Sequence, residues 1–260
     1  VFEDYGLYTQ VEQLNKTALK THGADPNGQL YKINSFEFLR YEDIIRLSTD
    51  PAYDQTAFEA LLEIKGDSDH SKLIEMLEVL NDETSSMEDE LFATYFDKEN
   101  IAYWMAFQLL TGNTDTQNRN VYLYSPQNSS KWYLWDWDND GMLRRREREI
   151  IKFSDSESWE RGVSNYWGNV LFRRCLQTQS YRDMLDAAMK ELYAYMNKTR
   201  IQSMLEHYRS VTETYVWQMP DRMYVPVTHA EYEDVLKSIW PEIEENYNYY
   251  WESYRKPMPF

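Results

Sequence analysis

Cysteine, histidine and glycine are scarce in this sequence, and each shortage excludes a kind of site. Cys175 is the only cysteine among 260 residues, so neither an intrachain disulfide nor a cysteine-based zinc site can form. The four histidines, at His22, His70, His207 and His229, lack a paired metal-ligand spacing, so solvated or capping roles are expected for them. With eight glycines, the chain has no glycine-rich phosphate loop of either common type.

Long apolar runs and basic residues are also in short supply. No stretch approaches the ~20 apolar residues that cross a bilayer, and no signal peptide is visible, so the sequence predicts no membrane span. Lys and Arg total 27 against 44 Asp and Glu, a formal net charge of -17. Such a surface repels nucleic acid and attracts a basic protein partner. The oligomeric state stays open.

The sequence contains a few strands in its first half, followed by a mainly helical body. Alternation and apolar runs predict strands at 5–13, 29–33, 121–124 and 132–135, the last two joined as a hairpin by a polar linker. Apolar spacing predicts helices at 54–65, 70–80, 99–110, 167–177, 180–195, 198–219 and 228–254. This order of elements predicts the α+β class.

The polar loop after the apolar helix 99–110 carries the first candidate site residues. It covers residues 112–120, and Asp115 and Asn120 stand five positions apart in it. The same spacing separates the base Asp from the metal-binding Asn in a protein-kinase catalytic loop, whose Asn also precedes a short apolar strand. The second hairpin strand runs into an acidic loop, residues 135–141, where kinases place a metal-binding acid. The candidates there are Asp136 and Asp138.

Oxygen ligands in this pattern fit a nucleotide bound with a divalent metal. The phosphates of ATP bring more negative charge than an acidic protein can hold unaided, so Mg²⁺ or Mn²⁺ has to bridge them. A separate carboxylate must orient the attacking hydroxyl and take its proton. Asp115 fits that role, whereas Asn120 with Asp136 or Asp138 fits the metal. The register favours Asp136 slightly over Asp138.

The acidic loop also allows two other interpretations. Its acidic residues at 136, 138 and 140 before Gly141 resemble half of a calcium-binding loop. The bidentate Glu of such a loop would be Glu147, the twelfth position when counting starts at Asp136, but a strand rather than a helix leads into it. The second alternative is an Asp-rich turn that only caps the end of the hairpin. The whole ordered set of segments favours the kinase interpretation.

Four segments, in their order along the chain, resemble the CotH family of atypical, spore-coat-type protein kinases. They are residues 6–12, 28–32, 112–124 and 135–138, and the similarity covers most of residues 5–180. The resemblance implies a protein-kinase-like fold, ATP with a divalent metal, and transfer to Ser or Thr of secreted or coat proteins. It also implies an extracellular, cell-surface or spore-coat location. By position, Asp115 would be the catalytic Asp, with Asn120 and Asp136 or Asp138 as metal ligands.

One part of the family pattern is not in this sequence. The chain begins at Val1, and the upstream region that covers the phosphates and supplies a nucleotide-binding Lys is missing from it. We therefore predict that residues 1–35 hold the last N-lobe strand, the hinge and the following strand, and that residues 36–260 form a mainly helical C-lobe. Glu12 would then lie near the adenine, and Lys32 is the best remaining basic candidate beside a nucleotide.

Functions from two other classes stay open. A surface or coat assembly protein could keep this fold without catalysis, which the missing lobe and an aromatic content of 16% favour. An enzyme that transfers a different group from ATP, such as a nucleotidyl transferase or an amino-acid ligase, could use the same frame, because a fold does not fix the reaction. The acceptor of a kinase with this composition would be a basic protein rich in Ser and Thr.

Overall fold

The computed structural model of the chain describes residues 3–143 and 166–254. The strands are β1 Gln29–Ile33, β2 Leu62–Ile64, β3 Val121–Ser125 and β4 Tyr133–Asp136. The α-helices are α1 Lys16–Thr21, α2 Gln55–Leu61, α3 Ser71–Asn81, α4 Lys98–Thr111, α5 Val170–Gln177, α6 Gln179–Tyr195, α7 Lys198–Val216 and α8 His229–Tyr254. A π-helix spans Met87–Tyr95, and 3-10 turns span Asn139–Gly141 and Asp221–Met223. The fold is α+β, as predicted.

The strands form an antiparallel sheet in the order β2-β1-β3-β4. β3 and β4 are the predicted hairpin, and their register pairs Val121 with Asp136. Successive side chains point to opposite faces of the sheet, so Tyr31 and Val121 join the main core while Leu30 and Tyr122 join a smaller apolar cluster. The register therefore places the end of β4 beside the start of β3, where the acidic loop and the polar loop meet the sheet.

Helix α4 is the central helix and fixes where the polar loop begins. It contacts α6, α8 and β4. Ile101, Trp104 and Leu110, on different sides of the helix, are each at most 4% exposed, as expected for a helix inside a core. The helix ends at Gly112, whose φ of 60° is a left-handed conformation that glycine adopts without steric cost.

The predicted strand over residues 5–13 is wrong. The segment has no strand pairing, and Tyr8 and Val11 are 79% and 57% exposed. An extended segment becomes a strand only when a neighbour takes its backbone groups, and here the Leu7 N–H donates to the Asp221 carboxylate at 2.9 Å instead. The predicted strand over 29–33 is confirmed as β1. It lies in one sheet with residues of the predicted C-lobe, and the boundary at residue 35 stays a prediction.

Pairing with β1 also shortens the helix predicted over 54–65. Leu62 and Ile64 pair with Ile33 and Tyr31, so residues 62–64 form the edge strand β2 and the helix ends at Leu61. A helical period over so few residues is a weak signal that a sheet neighbour overrides. Helices α3 to α8 begin and end within a few residues of the predicted ones, whereas α1 and the π-helix were not predicted. None of the described helices combines the length and the apolar character needed to cross a bilayer.

His70 is a fully buried histidine beside the sheet. Its Nδ1 lies 2.8 Å from the Tyr31 hydroxyl and its Nε2 lies 3.2 Å from the Tyr53 hydroxyl. The ring stacks on Phe58 with 4.1 Å between centres. Burial lowers the pKa of the imidazole to about 4, although neighbouring Asp69 acts in the opposite direction. The histidine is therefore neutral at pH 7 and serves packing.

We expect acid to destabilise the protein through His70. Its folded-state pKa lies below the unfolded value of 6.5, so the unfolded chain binds the proton first. The free energy of unfolding then falls as the pH drops from about 6.5 to about 4, by at most about 3 kcal/mol. Chemical denaturation across that interval measures the slope in the wild type, in His70→Gln and in the exposed control His207→Gln. A His70→Gln protein that keeps the whole wild-type slope contradicts this expectation.

Candidate active site

Buried side chains anchor the polar loop 112–120 at the end of α4. Asn113 is 2% exposed, and its side-chain oxygen accepts from the backbone N–H of Asp115 at 3.2 Å. Thr116 is fully buried, and its hydroxyl lies 3.1 Å from the Tyr166 hydroxyl. The Tyr166 hydroxyl donates to the backbone oxygen of Asn113 at 3.4 Å. Asp115 lies between these anchors, and its side chain is 39% exposed. The loop therefore presents one carboxylate to solvent from a fixed backbone.

The structure brings Asp115 and Asn120 together. Asn120 Nδ2 donates to Asp115 Oδ2 at 2.9 Å, across the five-residue spacing seen in the sequence. Asn120 has a φ of 55°, a left-handed conformation in which asparagine is enriched among residues other than glycine. Arg119 donates to Asp115 Oδ1 from Nε at 2.8 Å and from Nη2 at 2.7 Å. Two neighbours thus hold the Asp115 carboxylate in one orientation.

Asp136 lies at the end of β4, against helix α4. Its Oδ1 accepts from Gln108 Nε2 at 2.7 Å. The residue as a whole is exposed, but its carboxyl group is packed on the α4 side, and this desolvation raises its pKa from 3.8 to about 6. The side-chain N–H groups of Gln108 and Trp104 act in the opposite direction without cancelling the effect. A raised carboxyl pKa of this kind is typical of functional sites.

The acidic loop folds back onto the polar loop. Asn113 Nδ2 donates to Asn139 Oδ1 at 3.3 Å. A Cβ placed on Gly141 would lie 2.8 Å from Asn113 Oδ1 and 3.3 Å from Asp115 Cβ, so a larger residue there would force the two loops apart. Asp138 immediately precedes the 3-10 turn that begins at Asn139. Asp138 is exposed and has a φ of 56°. The acidic loop and the polar loop are therefore in contact.

The donor atoms at this junction are of the type that a hard divalent cation prefers. Asn120 uses its amide nitrogen for Asp115, so its carbonyl oxygen is the atom available to a metal. Asp136 accepts the Gln108 amide on Oδ1, and a carboxylate has further acceptor positions for a metal. Gln108 Oε1 and Trp104 Nε1 are buried and have no hydrogen-bond partner within the described ranges, so both an acceptor and a donor stand unpaired near Asp136. Oxygen donors select Mg²⁺ or Mn²⁺ over softer metals.

Among the described residues, no three acidic or histidine side chains cluster at this junction. Over residues 3–143 and 166–254, the group of such side chains with metal-like spacing is Glu213, His229 and Glu233 between α7 and α8, and Arg209 already pairs with both glutamates. A metal at the polar loop would therefore combine one or two carboxylates with Asn120, phosphate oxygens and water. Mg²⁺ is commonly bound in that way, with few protein carboxylates.

Glu12 lies near the aromatic side of the hairpin. Its Oε2 is 2.7 Å from His22 Nε2, and the His22 ring lies 6.2 Å from the ring of Trp135. A cavity of about 390 Å³ is lined by Leu14, His22, Leu134, Trp135 and Asp136. The cavity is large enough for part of a nucleoside, and it reaches Asp136, one of the predicted metal ligands. A nucleotide-binding role for Glu12 stays a prediction.

Lys32 lies on the same side of the sheet as Trp137. Its Nζ is 5.8 Å from the centre of the Trp137 ring, a cation–π distance, and that ring packs edge-on against Tyr122 at 5.4 Å. No hydrogen bond or ion pair joins Lys32 to Asp115 within the part of the chain that the structure describes. Its predicted role beside a nucleotide therefore stays a prediction.

A second cavity, of about 350 Å³, borders the same polar loop. It is lined by Glu37, Gln117, Asn118, Gly168 and Asn169. Asn118 Nδ2 donates to Glu37 Oε1 at 2.6 Å, and the Tyr41 hydroxyl donates to Glu37 Oε2 at 2.7 Å. Burial raises the pKa of Glu37, but these two donors together with the backbone N–H of Glu37 outweigh it and lower the pKa below its usual value. The cavity thus has a fixed, ionised carboxylate in its wall.

The sequence did not predict three residues of this region as part of the site. Arg119 could have been identified, because it follows Asp115 by four positions in the same polar loop. Gln108 offered little more than its polarity within an apolar helix, although it is 1% exposed. Glu37 reaches the loop only through tertiary packing. Glu147, on which the calcium alternative depends, lies outside the described residues.

Comparison with known proteins assigns the chain to a class and then to a family. Residues 2–250, nearly the whole chain, match the model of a kinase family. That model is described as CotH kinase protein, and the chain belongs to the CotH kinase family. The resemblance seen in the sequence is therefore confirmed. A search of curated proteins finds no match. Membership of a kinase family implies the use of ATP.

Proposed function

We propose that this chain is an ATP-dependent protein kinase that transfers the γ-phosphate to Ser or Thr of a protein acceptor. The observation that carries the proposal is the 2.9 Å contact between Asp115 and Asn120, with the acidic loop folded against the same polar loop. Family membership supports the same class of reaction. In this proposal the helical body is a kinase-like C-lobe, and residues 1–35 lie on its hinge side.

The proposed reaction is a direct displacement at phosphorus. The acceptor hydroxyl oxygen forms a bond to the γ-phosphorus, and the bond from that phosphorus to the bridging oxygen breaks, leaving ADP. The hydroxyl proton passes to Asp115, whose half-exposed side chain is accessible to an acceptor. The Asn120 amide keeps the Asp115 carboxylate oriented during this transfer.

The metal in this proposal would be held by Asn120 together with Asp136 or Asp138. When bound, Mg²⁺ or Mn²⁺ neutralises phosphate charge and orients the phosphates. The raised pKa of Asp136 supports the assignment, because a desolvated carboxylate is stabilised strongly by a nearby cation. Glu12 and Lys32 would lie on the nucleotide side, beside the cavity of about 390 Å³.

The direct test is transfer of labelled γ-phosphate to acceptor proteins with Mg²⁺ or Mn²⁺ present, and with the intact mass of the product measured. Addition of one phosphate supports the kinase proposal. A nucleotidyl adduct would favour transfer of another group from ATP. Tight partner binding without nucleotide, combined with no transfer by the wild-type protein, would favour an assembly protein that lacks catalysis.

The acceptor in this proposal is a basic protein rich in Ser and Thr, located outside the cell, on its surface or in a spore coat. The formal charge of -17 and the carboxylate-lined cavity beside the polar loop support a basic acceptor. The location rests on the family alone. Fractionation of the producing cells tests it, and recovery only from the cytoplasm would contradict it.

We expect Glu37→Gln to weaken the recognition of basic acceptors. A charge-assisted hydrogen bond from an acceptor Lys or Arg to Glu37 contributes about 1.5 kcal/mol, which corresponds to about a tenfold rise in KM when it is lost. The measurement compares two peptides that differ only in Lys or Ala near the phosphorylated Ser. KM should rise for the Lys peptide alone, while the exposed control Glu42→Gln leaves both unchanged. Equal effects on both peptides would contradict a cation subsite.

A further inference from the structure

Both carboxylate oxygens of Asp115 are occupied by protein donors. Arg119 reaches Oδ1 with Nε and Nη2 at 2.8 and 2.7 Å, and Asn120 reaches Oδ2 at 2.9 Å. A base that takes the proton of an acceptor hydroxyl needs an oxygen within hydrogen-bond reach of that hydroxyl. Arg119 fills both acceptor positions of Oδ1, so this oxygen becomes available to a hydroxyl only when the Arg119 side chain moves away. Oδ2 accepts from Asn120, which the proposed function keeps in place as a metal ligand, so the contact that can open is the one with Arg119.

The contact between Arg119 and Asp115 is weak enough for a bound phosphate to replace Asp115 as the partner of Arg119. Their side chains are 59% and 39% exposed, and exposed ion pairs contribute about 0 to 1 kcal/mol. A terminal phosphate offers the planar guanidinium fork several oxygens with more charge than a single carboxylate oxygen. An incoming triphosphate would therefore compete successfully for Arg119.

The position of Arg119 matches the place where a transferred phosphate must lie. Reacting atoms have to approach within about 3 to 3.5 Å, so a hydroxyl bound by Asp115 brings the γ-phosphorus next to that carboxylate. The Arg119 guanidinium already contacts the same carboxylate. Lys32, the other basic candidate, lies over Trp137. In this acidic chain, the positive charge of Arg119 at the polar loop would stabilise the negative charge of the transferring phosphoryl group.

We propose that the Arg119 side chain moves from Asp115 to the γ-phosphate of ATP. This one movement frees Asp115 Oδ1 to accept a proton and stabilises the phosphoryl group during transfer. This inference rests on the proposed function. In the nucleotide-bound protein, Arg119 then contacts the γ-phosphate, and Asp115 Oδ1 accepts from the acceptor hydroxyl. ADP, which lacks the γ-phosphate, leaves the pair of Arg119 and Asp115 closed.

Nucleotide affinities test this exchange without relying on turnover. Dissociation constants for ATP and for ADP are measured with Mg²⁺ and without acceptor, in the wild type, in Arg119→Gln and in Arg119→Lys. The remote, exposed Arg200→Gln is the matched control. We expect Arg119→Gln to bind ATP about tenfold more weakly, the loss of about one charge-assisted contact, with ADP affinity unchanged. Arg119→Lys, which keeps the charge, should restore part of the ATP affinity.

Different outcomes separate this inference from the proposed function. If the wild type binds ATP and Arg119→Gln keeps the same ratio of ATP to ADP affinity, Arg119 does not contact the γ-phosphate and the inference is overturned. Equal weakening of both nucleotides overturns it as well, because it points to a general distortion of the loop. A wild type that binds neither nucleotide overturns the proposed function itself. Unchanged thermal unfolding of the variants verifies that they are folded.

Discussion

Asp115→Asn should lower the kcat of phosphate transfer by about a thousandfold while the variant binds ATP at least as tightly as the wild type. Positioned general bases contribute roughly 10² to 10⁴ in rate, and an amide takes no proton at neutral pH. Asn has the shape of Asp, so its side-chain oxygen can still accept from Asn120 at the present 2.9 Å. The anchors Asn113 and Thr116 do not involve the carboxylate, so the loop keeps its backbone.

Steady-state kinetics with a phosphorylatable protein, together with nucleotide binding, measures both parts of this prediction. Asp43→Asn is the matched control, because Asp43 is a fully exposed Asp in a different segment of the chain. The control should keep wild-type kcat. A kcat for Asp115→Asn within tenfold of the wild type would mean that another group takes the proton, and Asp115 would lose its assigned role.

Asp136→Asn should abolish most metal-dependent activity and yet stabilise the fold. Loss of a metal-binding carboxylate is expected to reduce activity by on the order of 100-fold or more. The folded-state pKa of Asp136 is raised to about 6, so its contribution to stability is present below the unfolded pKa of 3.8 and is lost as the pH rises through about 6. Because the residue is exposed as a whole, screening reduces the expected gain from Asn at neutral pH to about 1 kcal/mol.

Thermal unfolding with a chelator, at about pH 4.5 and about pH 8, measures the stability part, since the gain should be clearly larger at the higher pH. Titration with Mg²⁺ or Mn²⁺ measures the metal part, because bound metal raises the Tm of the wild type and not of Asp136→Asn. Asp138→Asn is the matched comparison. If it loses more metal stabilisation than Asp136→Asn, Asp138 is the main ligand. A Tm of Asp136→Asn below that of the wild type at the higher pH would contradict the buried-charge argument.

The sequence was informative where local chemistry dominates. The apolar helix, the hairpin and the five-residue spacing of Asp115 and Asn120 all lie within a short stretch of chain, so their arrangement follows from helix capping and strand register. The structure accordingly has α4, the β3–β4 hairpin and the contact between these two side chains. The family, too, was recognisable from the residues of this stretch together with segments near the N-terminus.

Sequence patterns failed where a distant partner decides the conformation. Residues 5–13 alternate like a strand, but no sheet neighbour takes their backbone, and Leu7 bonds to Asp221 instead. Residues 62–64 looked helical, but β1 recruits them into the sheet. Both errors have the same physical origin, because strands are stabilised by pairing with residues that are far away in the chain.

The amino-acid sequence alone determined the α+β class, the family, the polar and acidic loops and the residue types that suit a metal and a phosphate. Only the tertiary structure decided that Gln108 of α4 contacts Asp136 and that Glu37 borders the polar loop. It also decided that Arg119 pairs with the Asp115 carboxylate. The reason is that charge and burial act through space. A carboxylate acquires its pKa and its partners from whatever the fold packs around it, and spacing along the chain does not specify those neighbours.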